Sequence, residues 1–217
     1  MITYLAMLSC LISQDWPNLK RYRTDNLILA NSNPQDNRVV FMGNSITESW
    51  STFQPKYFSK NNYINRGISG QTTPQMLIRF RQDVIDLDPE IVVILAGIND
   101  IAGNTGPATV DMIADNIISM AELAISNSIE VVLCSVLPAN EFSWSKNNNP
   151  SLKIIELNKI LKKYSNRNNV LYVDFYSALV NKRKGLKKIY GVDSVHPNLE
   201  GYQTMSEILE INLQKYK

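Results

Sequence analysis

The strongest constraint on this chain is residues 91–96, IVVILA, an apolar and largely β-branched run without a single polar position. A strand with one face in water alternates apolar and polar residues, whereas an unbroken run fits a strand covered on both faces, as in parallel sheets. Four further runs read as strands: 38–42 (RVVFM), 63–66 (YINR), 130–137 (EVVLCSVL) and 170–173 (VLYV). Helical periodicity fills the gaps. Ile113, Ile117, Met120, Ala121 and Ala124 fall on one helix face, as do Leu152, Ile155, Ile160, Leu161 and Tyr164, and then Tyr202, Met205, Ile208, Leu209 and Leu213. Parallel strands need crossover connections. Five strands with intervening helices therefore predict an α/β fold, a five-stranded parallel sheet wrapped on both sides. No linker or internal repeat divides it, so residues 14–217 read as one domain.

Bulk properties exclude several function classes. Hydrophobic residues are 44% and charged residues 19% of the chain, an ordinary globular balance. A net charge of +2 gives no reason to expect nucleic acid or an anionic membrane as partner. The densest basic run, 182–188 (KRKGLKK), reads as a solvated loop. Cys134 lies inside an apolar strand, so the two cysteines, Cys10 and Cys134, do not suggest a disulfide framework. One histidine and no C-x-x-C leave no visible metal-ligand set, and no cofactor is expected. Residues 1–13 (MITYLAMLSCLIS) are apolar but too short for an ordinary membrane-spanning helix. They read as a secretory signal lacking its basic region, which implies a periplasmic or secreted protein. An apolar first element of a cytoplasmic domain is the alternative.

In open parallel sheets, ligands sit beyond the carboxyl ends of the strands. Four short motifs occupy such places. Gly43-Asn44-Ser45-Ile46-Thr47 follows the first strand, where a serine on a tight turn can project its hydroxyl and its N–H into a cleft, or simply cap the next helix. Asn65-Arg66-Gly67-Ile68-Ser69-Gly70 follows the second; Gly70 can bring a peptide N–H close to a ligand, or only make a turn. Gly97-Ile98-Asn99-Asp100 follows the third, and the Asn99 amide can donate to developing negative charge or cap locally. Asp193-Ser194-Val195-His196-Pro197 precedes the last helix. Its carboxylate can accept from imidazole Nδ1–H, fixing the tautomer that leaves Nε2 free to take a serine proton. A lone histidine is more often structural than catalytic, but any serine–histidine mechanism here must use His196.

With these four blocks in this order, from about Arg38 to Tyr202, the sequence resembles the SGNH hydrolase superfamily, the GDSL-like esterases and lipases. The resemblance implies a three-layer, flavodoxin-like α/β/α sandwich. It also implies a metal-free esterase with Ser45 as nucleophile, His196 as general base and Asp193 as its partner. The oxyanion hole would be the Ser45 and Gly70 N–H groups and the Asn99 side chain. One position departs: Asn44 stands where the family usually has Asp, and local tuning is expected. The superfamily covers several ester classes. Phe142 and Trp144, after the fourth strand, are candidates to wall a sugar pocket, or they pack their loop onto the body. O-acetyl esters on carbohydrate are the favoured substrate, and residues 14–23 are similar to secreted bacterial members. A lysophospholipase or thioesterase, or a non-catalytic carbohydrate-binding protein on this fold, are the alternatives.

Overall fold

The computed structural model describes residues 15–31, 38–144 and 149–214. Residues 1–13, with Cys10 and the expected export signal, lie outside them. The strands are β1 (Val39–Gly43), β2 (Tyr63–Gly67), β3 (Ile91–Leu95), β4 (Glu130–Cys134) and β5 (Leu171–Val173). They form one wholly parallel sheet in the order β2-β1-β3-β4-β5. Every residue of β1 and β3 is buried, as their unbroken apolar runs require.

The helices are α1 (Arg23–Ala30), α2 (Ser45–Phe53), α3 (Pro55–Lys60), α4 (Thr73–Asp83), α5 (Ile98–Ala102), α6 (Val110–Ser126), α7 (Pro150–Asn168), α8 (Phe175–Leu179) and α9 (Leu199–Leu213). One layer holds α2, α3, α8 and α9, and the other holds α1, α4, α6 and α7. The result is the expected three-layer sandwich.

The two layers are built differently. On the α2/α9 side, Phe41 of β1 meets Trp50 of α2 edge-on with ring centroids 5.5 Å apart, and Phe58 and Tyr63 close in around it. Trp50 also contacts Phe175 and Tyr202, and its Nε1–H donates to Ser206 Oγ at 3.0 Å. Such aromatic pairs add about 0.5–1.5 kcal/mol each beyond the area they bury. On the other side α6 buries a stripe without aromatic residues, Ile113, Ile117, Met120 and Ala124.

The periodic stripe expected for α7 needs correction. Leu152 is 62% exposed and Ile155 37%, while Ile154, Leu157 and Leu161 are buried. The true stripe is one residue out of phase with the first two positions. Asn158 explains the ambiguity. It sits on the buried face, its side chain bonding both the N–H and the C=O of Val136, so a polar residue interrupts the apolar pattern. Cys134 is a buried strand residue, as expected.

Candidate active site

Three loops leave the sheet side by side, because Gly43 is in register with Gly67 on one flank and Leu95 on the other. Gly43 is required by space: a Cβ there would lie 1.9 Å from Thr47 Oγ1 and 2.8 Å from the Leu95 carbonyl. The next residue, Asn44, is the N-cap of α2. Its side chain accepts from the Ile46 N–H at 3.1 Å, so the amide that replaces the usual carboxylate fills a capping role. Ser45 is therefore not the cap but the first helical residue, where backbone N–H groups have no partner inside the helix.

His196 comes to Ser45 from the far end of the chain. Its Nε2 lies 3.0 Å from Ser45 Oγ, and its Nδ1 lies 2.9 Å from Asp193 Oδ2. The other carboxylate oxygen, Oδ1, accepts from the Val195 and His196 backbone N–H groups, both at 2.7 Å. Partial burial works against ionisation of Asp193, but the bonds from His196 and Val195 outweigh it and hold the carboxyl below its usual value. The turn is in turn fixed to the body. Asn198 caps α9, and the Tyr202 hydroxyl of that helix donates to the Ile46 carbonyl at 2.8 Å, tying α9 to the residue after Ser45.

The Gly70 loop is pinned from several directions. The Ser69 N–H donates to Glu48 of α2, Asn104 Nδ2 donates to the Gly70 carbonyl, and Asn99 Nδ2 donates to the Gln71 carbonyl at 2.9 Å. Gly70 has φ +77 and nothing within 4 Å of a built Cβ, so glycine serves backbone conformation there and not close packing. Neither the Ser45 nor the Gly70 N–H is taken by an acceptor among the described residues. Asn99 is buried, with a second amide hydrogen beyond the one given to Gln71. The three expected donors thus sit on adjoining loops, and the Asn99–Gln71 bond locks two of those loops together.

Behind these groups lie Asp100, the last residue of the third motif, and Arg79, which no motif included. Asp100 accepts from the Thr73 N–H at 2.9 Å and from Thr73 Oγ1 at 2.6 Å, which fastens the start of α4 beneath the Gly70 loop. Burial raises its pKa, and the Thr73 bonds oppose that shift. Arg79 is wholly buried. Its guanidinium donates to Gln71 Oε1 at 2.6 Å, to Asp83 at 2.9 Å and to the Gly43 carbonyl at 3.0 Å. One side chain therefore braces both the serine turn and the Gly70 loop. Of the two aromatic candidates, Phe142 belongs to the core, whereas Trp144 lies stacked on it with 48% of its surface exposed.

The model of the GDSL-like lipase/acylhydrolase family matches residues 41–204. The chain belongs to that family. All four motifs fall within the matched region. Among solved structures, an assigned acylhydrolase from Bacteroides fragilis is 46% identical, with 94% of this chain and 99% of that one covered and a TM-score of 0.91. A GDSL-like lipase from Bacteroides thetaiotaomicron is also 46% identical, covering 93% and 99%, with a TM-score of 0.90. A catalytic mutant of an acetylxylan esterase from Geobacillus stearothermophilus shares the fold at 17% identity, covering 83% and 95%, with a TM-score of 0.68. Comparison with curated proteins gives no match. As a GDSL-like family member, the chain is of an acylhydrolase, esterase type. Among its described residues no group of three or more His, Cys, Asp or Glu is placed to hold a metal ion, and no helix is long and apolar enough to cross a membrane.

Proposed function

We propose that the protein is a serine esterase that works through an acyl-enzyme on Ser45. The observation that carries this reading is the chain of contacts from Ser45 Oγ to His196 Nε2 at 3.0 Å and from His196 Nδ1 to Asp193 at 2.9 Å. In the first half-reaction His196 takes the Ser45 proton as Oγ attacks the ester carbonyl. The tetrahedral oxyanion is held by the Ser45 N–H, the Gly70 N–H and the Asn99 amide. His196 then gives its proton to the leaving alcohol, and the acyl group stays on Oγ. In the second half, water attacks the acyl-enzyme with His196 as base, releasing the acid and restoring the serine. Asp193 keeps the imidazole in the required tautomer and stabilises its cation.

The favoured substrates are short-acyl, chiefly O-acetyl, esters of carbohydrate. The support is the polar character of the rim. The loop after β4 lines the cavity beside Asp193 with Asn140 and Glu141, and farther along the same loop the exposed Trp144 ring rests on buried Phe142, a firm face of the kind that suits a sugar ring. An acetylxylan esterase, solved as a catalytic mutant, also has this fold.

Labelling with a fluorophosphonate probe tests the mechanism. Wild type should become covalently modified at Ser45 and lose activity, while Ser45→Ala should neither label nor turn over p-nitrophenyl acetate above the residual level. Unchanged turnover in Ser45→Ala would remove the assignment, and a chain that never labels would favour a non-catalytic binder.

A further inference from the structure

We propose that a cavity of about 690 Å³ beside Asp193 recognises a carboxylate on the alcohol half of the substrate, as in an ester carried by an acidic sugar. This deepens the esterase reading and rests on it. The cavity is bounded by Asn140 and Glu141 from the loop after β4, by Arg183 and Lys188 from the segment after α8, and by Asp193 and Ser194 of the histidine turn.

The position of the cavity decides which half of an ester can reach it. Gly70 and Asn99 stand on the loops after β2 and β3, and an acyl oxygen must face them. The cavity instead opens at Asp193 and Ser194, past the imidazole as seen from Ser45, since Asp193 holds Nδ1 while Nε2 faces the serine. Only a group that extends past His196 enters it, and the alcohol, which takes its proton from Nε2, is the half of the ester that lies against His196.

The charge comes from residues 181–188, NKRKGLKK, with five cations and no acid in eight positions. As a sequence this run reads as a solvated loop, and Lys182, Arg183, Lys184 and Lys188 are exposed. The fold, however, builds it firmly. Val180 and Leu186 pair as an antiparallel bridge. Asn181 Oδ1 accepts from the Arg183 and Gly185 N–H groups, and its Nδ2 donates to the Leu186 carbonyl. Gly185 packs so close to Asn140 that a Cβ would lie 2.2 Å from its Oδ1, which joins this hairpin to the opposite wall. Lys187 is spent on structure, donating to the Ala178 carbonyl at 2.7 Å. Arg183 and Lys188 are not: no side-chain hydrogen bond or ion pair to the described residues engages either one. A hairpin stitched by Asn181 thus holds two free cations on a concave surface next to the histidine turn. Glu141 on the facing wall offers an acceptor for sugar hydroxyls. A planar guanidinium and an ammonium suit a carboxylate, and a charge-assisted bond is stronger than a neutral one.

The test compares acetate release from an acetylated oligosaccharide bearing a uronic acid with release from the same oligosaccharide after its carboxyl groups are reduced to alcohols. Wild type should prefer the uronate form by about tenfold in kcat/KM, mostly through KM, as expected for one charge-assisted contact. The ratio should fall to within about twofold of unity in the double variant Arg183→Gln/Lys188→Gln, and it should shrink in high salt. A ratio near one in wild type, alongside brisk turnover of p-nitrophenyl acetate, would overturn the anion site and leave the esterase reading standing. A ratio that survives both substitutions would also overturn it. Wild type inert toward every ester would bring down both readings. Binding to phosphatidylserine vesicles that is lost in the double variant, with no uronate preference, would assign the cations to a lipid surface and overturn the sugar proposal.

Discussion

At the residue scale, the most informative group is Asp193, because its geometry has a thermodynamic consequence. The carboxylate accepts two backbone N–H groups and the imidazole, and its pKa is held below the ordinary value of 3.8. A depressed acid stabilises the fold wherever the unfolded chain would bind more protons. That contribution is complete above the unfolded value and disappears as pH falls through the folded one. The difference in Tm between wild type and Asp193→Asn should therefore be widest near neutrality and narrow as the pH passes below 3.8. A gap that widened in acid would contradict the arrangement of three donors around this carboxylate. Asp193 and His196 were legible from the sequence because three-residue spacing before a helix lets their side chains meet. Legibility was weaker for the role of Asn44, since a cap is defined by the backbone angle of a turn and not by the residue alone.

At the scale of elements, the strands were legible because burial on both faces leaves an unbroken apolar run, and α6 and α9 because their buried faces are almost wholly apolar. α7 was misread by one position because Asn158 and Ser165 share its buried face. α4 escaped notice for a related reason. Its inner stripe includes Met76, Phe80, Arg79 and Asp83, and an i,i+4 Arg–Asp pair normally signals a solvated surface. Here that pair is buried, with side-chain exposures of 0% and 1%. Burial pulls the Arg79 pKa down while the Asp83 charge works against that shift. Removing one partner of a buried pair strands the other, which costs about 3–5 kcal/mol. Arg79→Met should lose stability in that range by urea unfolding. It should also lower kcat at a temperature where the variant is still folded, because the Gly43 carbonyl and the Gln71 side chain lose their common brace. A variant of wild-type stability would mean that Asp83 is compensated by the side-chain amides of Asn26 and Gln82, which donate to it at 2.6 and 3.3 Å.

For the whole molecule, the sheet's layering leaves the Gly70 loop and α4 facing outward on one edge, and the segment before α1 covers them. Gln71, Gln75 and Gln82 each donate a side-chain amide to a backbone carbonyl of that segment, those of Pro17, Trp16 and Leu19, at 2.7–2.9 Å. Tyr22 is buried at its end, its hydroxyl donating to the Gly67 carbonyl and its ring lying under the Arg66 guanidinium at 4.6 Å. Gln71 is thus held by the strap, by Arg79 and by Asn99 at once, so the strap reaches the oxyanion side of the site through one residue. Each amide–carbonyl bond contributes about 0.5–1.5 kcal/mol and a buried aromatic roughly 1.5–3 kcal/mol. Removal of residues 1–22 should then cost about 3–7.5 kcal/mol, a fall in Tm of roughly 6–30 °C for a chain of this size. It should reduce kcat as well, since Gln71 loses its outer anchor. Removal of residues 1–13 alone spares every one of these contacts and should leave Tm and kcat near the full-length values. Thermal melts and p-nitrophenyl acetate kinetics on the two truncations separate the cases: equal behaviour would show that the strap is packing without leverage on the site, whereas a loss confined to the longer deletion places the start of the folded unit between the two cuts.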